Sequence, residues 1–323
     1  MASPVTFREP SGLLLLNKAP GLTSFQSLNG VKKALATPKV GHTGTLDKFA
    51  SGLLVVLAGR AVKLTPWFSG CDKQYEGTIR FGVETDTLDP EGLPVAQGEI
   101  PSKEALEAVL PRFRGDILQA PPAYSAIHLG GQRASRLARE GKPVEMKERP
   151  VTVYALELRS YEPPRACIHV HCSRGTYIRS LARDIALAAG SRGHLEALTR
   201  TRVAGFSLSG ALELSASTPA EELLGALKPL SPGIFERLGL PAVLVDDAAA
   251  ESIVRGVPLE RLIQEKKVLP PENADALAAG LFRSAAALSG EGGFLGIIEQ
   301  KSGERTGERT GGRWSYGYVY ART

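Results

Sequence analysis

One carboxylate, Asp47, stands alone in a run of small and hydroxylated residues, Gly41-His42-Thr43-Gly44-Thr45-Leu46-Asp47-Lys48-Phe49-Ala50-Ser51-Gly52. A lone carboxylate in such a setting can work as a nucleophile or as a general base. Glycine lets backbone approach a ligand closely. The run then passes into Leu53-Leu54-Val55-Val56-Leu57, an apolar segment that reads as a buried strand or helix start. Asp47 is therefore expected on a loop braced by a buried element, the usual way in which functional groups are presented. The plain alternative is that Asp47 caps a helix beginning at Lys48, and the loop by itself does not separate the two. A phosphate loop is the weaker reading, because G-x-x-x-x-G-K-[ST] is absent.

Two other groupings have chemistry-bearing residue types. Cys167, His169 and His171 would share one face of a strand, but they lack a fourth ligand and a zinc-like spacing, so no metal site is assigned. Arg133, Arg136, Arg139 and Lys142 put four cations on a segment with few large apolar residues. Such a segment is poor core material and could contact RNA phosphates, but on charge alone a solvated helix face is the better reading.

The elements that must position these residues follow from periodicity. Leu13 to Leu16 reads as a buried strand that ends at Asn17-Lys18. Thr23 or Ser24 then caps a helix to about Leu35, with Phe25, Leu28 and Val31 on one face. Tyr75, Gly77, Ile79 and Phe81 alternate with polar residues, as in a half-buried strand. Ser102 caps an amphipathic helix to Leu110, and two strands are expected over Val151–Arg159 and Ala166–Cys172. A glycine turn then enters a helix carrying Ile178, Leu181 and Ile185. Beyond Pro241, Val243–Val245, Ala248–Val257, Phe294–Ile298 and Tyr316–Tyr320 suggest a small β-rich module, with a Gly-Glu-Arg-Thr repeat over 301–312 as a flexible loop.

Composition sets the outer bounds. A chain of 323 residues suffices for one large domain and a small one. The net charge of +5 favours an anionic partner without naming it. Three cysteines give no disulfide framework, which points to a reducing cytoplasm. Leu13–Leu16 is too short for a secretory segment, and no run approaches the roughly 20 apolar residues of a membrane span.

The stretch around Asp47 resembles the TruB family of pseudouridine synthases, which modify the T-loop of tRNA. The family pattern G-H-x-G-T-L-D-x-x-A-x-G-x-L is met at every specified position, with Lys48 where a proline is usual. Further matches are Asp72-Lys73-Gln74-Tyr75, then Gly82-Val83-Glu84-Thr85-Asp86-Thr87-Leu88-Asp89, Gly175-Thr176-Tyr177-Ile178-Arg179, and Leu198-Thr199-Arg200-Thr201-Arg202. They span about the first 210 residues. Besides Lys48, three positions depart from the pattern: Pro20 falls one place late after Lys18, His128 replaces the usual lysine, and Ser135 stands where tyrosine is common.

The resemblance implies a pseudouridine synthase fold of α+β type, with a mostly antiparallel mixed sheet flanked by helices. A catalytic domain over 1–240, with an RNA-gripping insertion at 124–148, would be followed by a PUA-like RNA-binding module over 241–323. It implies Asp47, Tyr75 and Arg179 as catalytic residues, with Arg179 paired to Asp47. His42 would fill the space left by an extruded base, Leu198 would lie beneath that base, and Tyr177 would pack below Arg179. Lys18 would position the loop or a phosphate, and Arg133, Arg136, Arg139 and Lys142 would grip RNA. The isomerisation needs no redox equivalent or activated group, so no cofactor is expected. The partner is tRNA, with no obligate protein partner and no membrane. A non-catalytic RNA-binding or RNA-chaperone protein on the same fold is the rival, weighed against the intact Asp47, Tyr75 and Arg179. A nucleotide hydrolase is third, lacking a phosphate-binding lysine and a metal-binding acidic motif.

Overall fold

Leu13 to Leu16 carries no alternation because both faces of its strand are covered. In the computed structural model it lies within Gly12–Lys18; Leu13 and Leu15 enter one apolar cluster and Leu14 and Leu16 another. The structure describes residues 10–142, 144–214, 218–257, 284–291, 293–301 and 313–320. Gly12–Lys18 belongs to a ten-stranded sheet ordered Leu212–Leu214, Gly12–Lys18, Ser51–Ala58, Gly193–Val203, Lys73–Phe81, Arg165–Cys172, Arg149–Glu162 and Gly115–Gln119. Val40–His42 and Phe206–Ser207 attach at its side. Only two of the pairings are parallel, Gly12–Lys18 with Leu212–Leu214 and Ser51–Ala58 with Gly193–Val203. The mixed, mostly antiparallel sheet is thus present.

Helices Lys103–Val109 and Ile178–Ala188 cover one face of this sheet. Ile178, Leu181 and Ile185 recur on one helical stripe and are buried with Ile79, Phe81, Ile168, Val170 and Leu195 from alternate strand positions. Ser102 caps the first of these helices by accepting from Ala105 N–H at 3.1 Å. Where Ser51–Ala58 and Gly193–Val203 run parallel, a Cβ on Gly52 would lie 2.4 Å from the Arg200 carbonyl oxygen, and its φ is +102°. Only glycine fits that crossing, directly below the Asp47 loop.

A second, four-stranded sheet is ordered Ala242–Val245, Ser284–Ser289, Phe294–Lys301 and Arg313–Val319. Ala286, Leu288, Phe294 and Ile297 from it share a cluster with Leu13, Leu53 and Phe68 of the large sheet. Ala248–Val257, read as part of a β-rich run, is instead mostly the helix Asp247–Val254. Asp246 accepts from Ala249 N–H at 2.7 Å, and an N-cap before alanines favours helix over strand. The converse holds for Ser284–Ser289, an alanine-rich segment that is a central strand, with Ala285, Ala286 and Ala287 buried. Tertiary pairing overrides its helix propensity. The repeat expected as a loop over 301–312 lies outside the described residues beyond Lys301.

The first helix also departs from its expected form. Thr23 and Gln26 make a reciprocal cap, with Thr23 N–H and Oγ1 donating to Gln26 Oε1 at 2.9 Å and Gln26 N–H returning to Thr23 Oγ1 at 3.2 Å. A turn follows before the helix proper, Leu28–Ala34. Leu28 and Val31 are buried, but Phe25 is exposed rather than on their face. The turn swings its side chain outward.

Candidate active site

The Asp47 loop joins Val40–His42 to Ser51–Ala58 and is tied down from three directions. Ser24 Oγ accepts from Leu46 N–H at 2.8 Å and donates to Leu46 O at 2.9 Å. Arg200, 2% exposed, donates to the carbonyls of Leu53 at 2.8 Å, Gly44 at 3.0 Å and Thr45 at 3.4 Å. Lys18 is fully buried, and its ammonium donates to Leu22 O at 2.7 Å, Ala19 O at 2.9 Å and Lys48 O at 3.4 Å. These three contacts take up the three protons of the ammonium. Burial lowers its pKa to about 8; Asp47 opposes that shift and Arg200 adds to it.

With its backbone so held, the loop directs the Asp47 carboxylate at Arg179. Arg179 Nη2 donates to Asp47 Oδ1 at 3.1 Å, and Nε lies 2.9 Å from Oδ2. The Nε contact is an ion pair without hydrogen-bond alignment, so Nε has no aligned acceptor. Arg179 also donates to Thr87 O at 2.7 Å and Tyr124 O at 3.0 Å, and Nη1 is 3.4 Å from Asp89 Oδ2. One guanidinium therefore serves two carboxylates, and their exposures differ: 36% for the Asp47 side chain and 9% for Asp89. Asp89 accepts from Thr87 Oγ1 at 2.6 Å and Glu91 N–H at 3.0 Å. Burial raises its pKa, against the hydrogen bond from Thr87 and the charge of Arg179.

Beside this charged node is an apolar wall. Tyr75 and Leu198, each nearly buried, share a cluster with Leu46. Tyr75 pairs across the sheet with Arg200 and Val170. Burial pushes its phenol above 10, with Arg200 opposing, so Tyr75 is neutral at physiological pH. His42 is half-buried at the end of its strand, with Nδ1 lacking a hydrogen-bond partner. Burial, then Arg200, lowers its pKa from the ordinary 6.5, which favours the uncharged form of its flat ring. Tyr177 precedes the Arg179 helix, where its N–H donates to Gln119 Oε1 at 2.8 Å and its O accepts from Gln119 Nε2 at 3.2 Å.

The structure brings Asp47 and Arg179 into direct contact, and sets Tyr75, Leu198 and Lys18 around the loop. Arg133, Arg136, Arg139 and Lys142 lie apart, all exposed, on the hairpin and helix His128–Arg139 and just beyond. Arg136 and Lys142 both pair with Glu140, at 2.9 and 2.7 Å. This segment returns to the site through Tyr124, whose carbonyl meets Arg179 and whose hydroxyl donates to Asp86 Oδ2 at 3.3 Å. Cys167, His169 and His171 form no metal cluster, and none of three or more ligating side chains occurs among the described residues. His171 instead packs on Tyr154, with ring centroids 4.8 Å apart.

Sequence reasoning gave no role to Asp89, Thr87, Tyr124 or Arg200. Asp89 and Arg200 lay inside quoted motifs, but their partners are 90 and 147 positions distant, and no local spacing links them. Period-two alternation would put Arg200 and Arg202 on one face; Arg200 is buried and Arg202 exposed because the pairing with Lys73–Phe81 shifts register between them, which local spacing does not reveal.

As chemistry, the arrangement offers one open carboxylate fixed by a buried guanidinium, a neutral phenol, and an apolar wall for a flat ring. The sequence profile of the TruB family pseudouridylate synthase (N terminal domain) matches residues 32–178. The tRNA pseudouridine synthase B of Francisella philomiragia is 41% identical over 283 residues, covering 87% of this chain and 86% of that protein. The tRNA pseudouridine synthase B of Borreliella burgdorferi is 47% identical over 201 residues, covering 61% of this chain and 71% of its own. Among solved structures, a chain of a Cbf5-Nop10-Gar1 complex superposes with a TM-score of 0.69 at 23% identity, over 99% of this chain and 88% of that one. At that identity the likeness bears on the fold alone.

Proposed function

This chain belongs to the TruB family of pseudouridylate synthases, and from that premise we propose that it isomerises the T-loop uridine at position 55 of tRNA, with Asp47 as the acting carboxylate. One observation carries the assignment. Of the two carboxylates on Arg179, Asp89 is enclosed and fully engaged, whereas Asp47 is one-third exposed at a loop fixed from below. Only Asp47 is free to meet a ribose.

In the reaction the C1′–N1 bond breaks, the uracil turns, C5 bonds to C1′, and C5 loses a proton while N1 gains one. No electron leaves the system, so the reaction needs no cofactor. A carboxylate enters either by attack at C1′ or by removing the 2′ proton, and both place it beside the same ribose carbon pair. Arg179 holds it there. Tyr75, neutral and walled by Leu46 and Leu198, suits stacking on the base. Its phenol can relay the proton leaving C5, directly or through a water, by passing its own proton on toward solvent as its oxygen takes up the new one. Extruding the uridine from its loop costs a few kcal/mol, and the uncharged His42 ring suits filling the vacated space.

Exposed Arg133, Arg136, Arg139 and Lys142 fit sequence-independent contact with phosphates. We assign residues 1–240 to catalysis and 241–323 to a PUA-like RNA-binding module, docked through Phe294 and Leu288. No helix among the described residues is long and apolar enough to cross a membrane, and three free cysteines support a cytoplasmic setting. The test is release of tritium from C5-labelled uridine in a tRNA transcript. Release of one equivalent, abolished when the T-loop target is replaced by cytidine, is the expected result. Release that survives that replacement would move the target elsewhere in the tRNA.

A further inference from the structure

Phe25 is 64% exposed, although its spacing from Leu28 and Val31 would place it in the core. Singly exposed apolar residues are normal on protein surfaces, so the exposure of Phe25 has meaning only through what surrounds it. Its neighbour Ser24 makes the paired hydrogen bonds to Leu46 that brace the Asp47 loop. Counting one residue on each side of that hydrogen-bonded pair, the Cα atoms of Phe25 and Asp47 are at most about 14 Å apart. The ring is also capped on one face: Lys32 Nζ lies 4.6 Å from its centroid. With the residue 64% exposed, much of the ring remains accessible to a second flat group.

The charge around it points to the kind of group. Residues 10–71 carry seven lysines and arginines and a single acidic residue, Asp47. The rest of the chain is nearly balanced, with 32 cations against 33 acids. The net positive charge therefore belongs to the segment that holds Phe25 and the site. An exposed aromatic with a lysine over one face, on a basic segment, has the two parts of a single-stranded nucleic-acid platform: a surface for stacking and a cation for the adjoining phosphate.

We propose that Phe25 and Lys32 form a second base-binding position, which stacks an unpaired nucleotide of the same tRNA outside the flipped uridine. This rests on tRNA being the substrate, and it adds a contact that sets affinity without touching the reacting atoms. Phe25→Ala is expected to raise both Kd and KM for the tRNA transcript about 5- to 100-fold, with kcat unchanged. Phe25→Trp should restore binding, whereas Phe25→Leu, apolar but unable to stack, should not. Lys32→Gln should lower the salt dependence of binding by about one phosphate contact. Because Phe25 is exposed, thermal unfolding of Phe25→Ala should match that of the wild type, which reports that the fold is intact.

Kd and KM of Phe25→Ala equal to those of the wild type would overturn the proposal, as would full binding by Phe25→Leu. So would sedimentation showing that Phe25 instead joins two copies of the chain, with the tRNA affinity of Phe25→Ala unaltered. A wild type that releases no tritium but loses tRNA affinity on Phe25→Ala would support this surface while sinking the catalytic reading.

Discussion

Arg179 and Arg200 are both buried, 5% and 2% exposed, and both reach the Asp47 loop, but they meet different partners. Arg179 divides its guanidinium between the carboxylates of Asp47 and Asp89 and the carbonyls of Thr87 and Tyr124. Arg200 donates to the carbonyls of Gly44, Thr45 and Leu53. One arginine holds charge where a substrate can reach it, and the other holds backbone. Arg200 also acts at a distance, because its positive charge helps burial to depress Lys18, Lys73 and His42. The difference teaches that burial and residue type do not by themselves mark a catalytic arginine. What marks it is a carboxylate partner that remains open.

The comparison breaks or sharpens under substitution. The largest effect is expected for Arg179→Lys, which keeps one charge but loses the planar fork that spans two carboxylates. Turnover should fall by about 100-fold or more while tRNA binding persists; kcat within tenfold of the wild type would break the comparison. Arg179→Met should also cost about 3–5 kcal/mol of stability, because it leaves Asp89 buried without its cation.

For Arg200→Met the loss should fall on stability before chemistry. Three carbonyls lose their donor, at about 1–3 kcal/mol for each one left buried and unpaired. Denaturant unfolding should show a deficit of several kcal/mol, with partial turnover at temperatures where the variant stays folded. Wild-type stability with abolished turnover would make Arg200 a chemical partner and erase the distinction.

Asp89→Asn is expected to be milder, because the amide keeps most hydrogen bonds and only redistributes the charge on Arg179. A fall in kcat of about tenfold, or 1.4 kcal/mol, with KM unchanged would fit a positioning role. A further prediction concerns Lys18. Its folded-state pKa of about 8 lies below the ordinary 10.5, so between those values the unfolded chain binds more protons than the folded one. Stability linked to this group therefore rises with pH from about 8 to 10.5. The unfolding free energy of wild type minus that of Lys18→Met should grow over that window, and a flat difference would contradict the shift.

The parts legible in the sequence were those with local periodicity or a contiguous motif. Alternation found the Tyr75 strand, the apolar stripe found the Arg179 helix, and the run around Asp47 led to the family. Ser284–Ser289 was not legible, since its alanines favour helix and only pairing with Ala242–Val245 and Phe294–Lys301 makes it a strand. Phe25 failed because the turn before Leu28 closes with i to i−3 bonds, from Leu28 N–H to Phe25 O and from Asn29 N–H to Gln26 O, a tighter winding than the α-helical spacing assumed for it. Asp89 failed for a different reason. Its meaning lies in a guanidinium 90 positions away, and sequence spacing does not carry that contact.

The central claim is that Asp47 supplies the chemistry and the rest of the node supplies its position. The most direct test is tritium release from C5-labelled tRNA by Asp47→Asn, with tRNA binding measured on the same sample. The amide preserves shape and much of the hydrogen bonding, so Kd should stay within a few-fold of the wild type while release falls to background. Release at more than a small fraction of the wild-type rate, with binding intact, would contradict the claim and remove Asp47 from the mechanism.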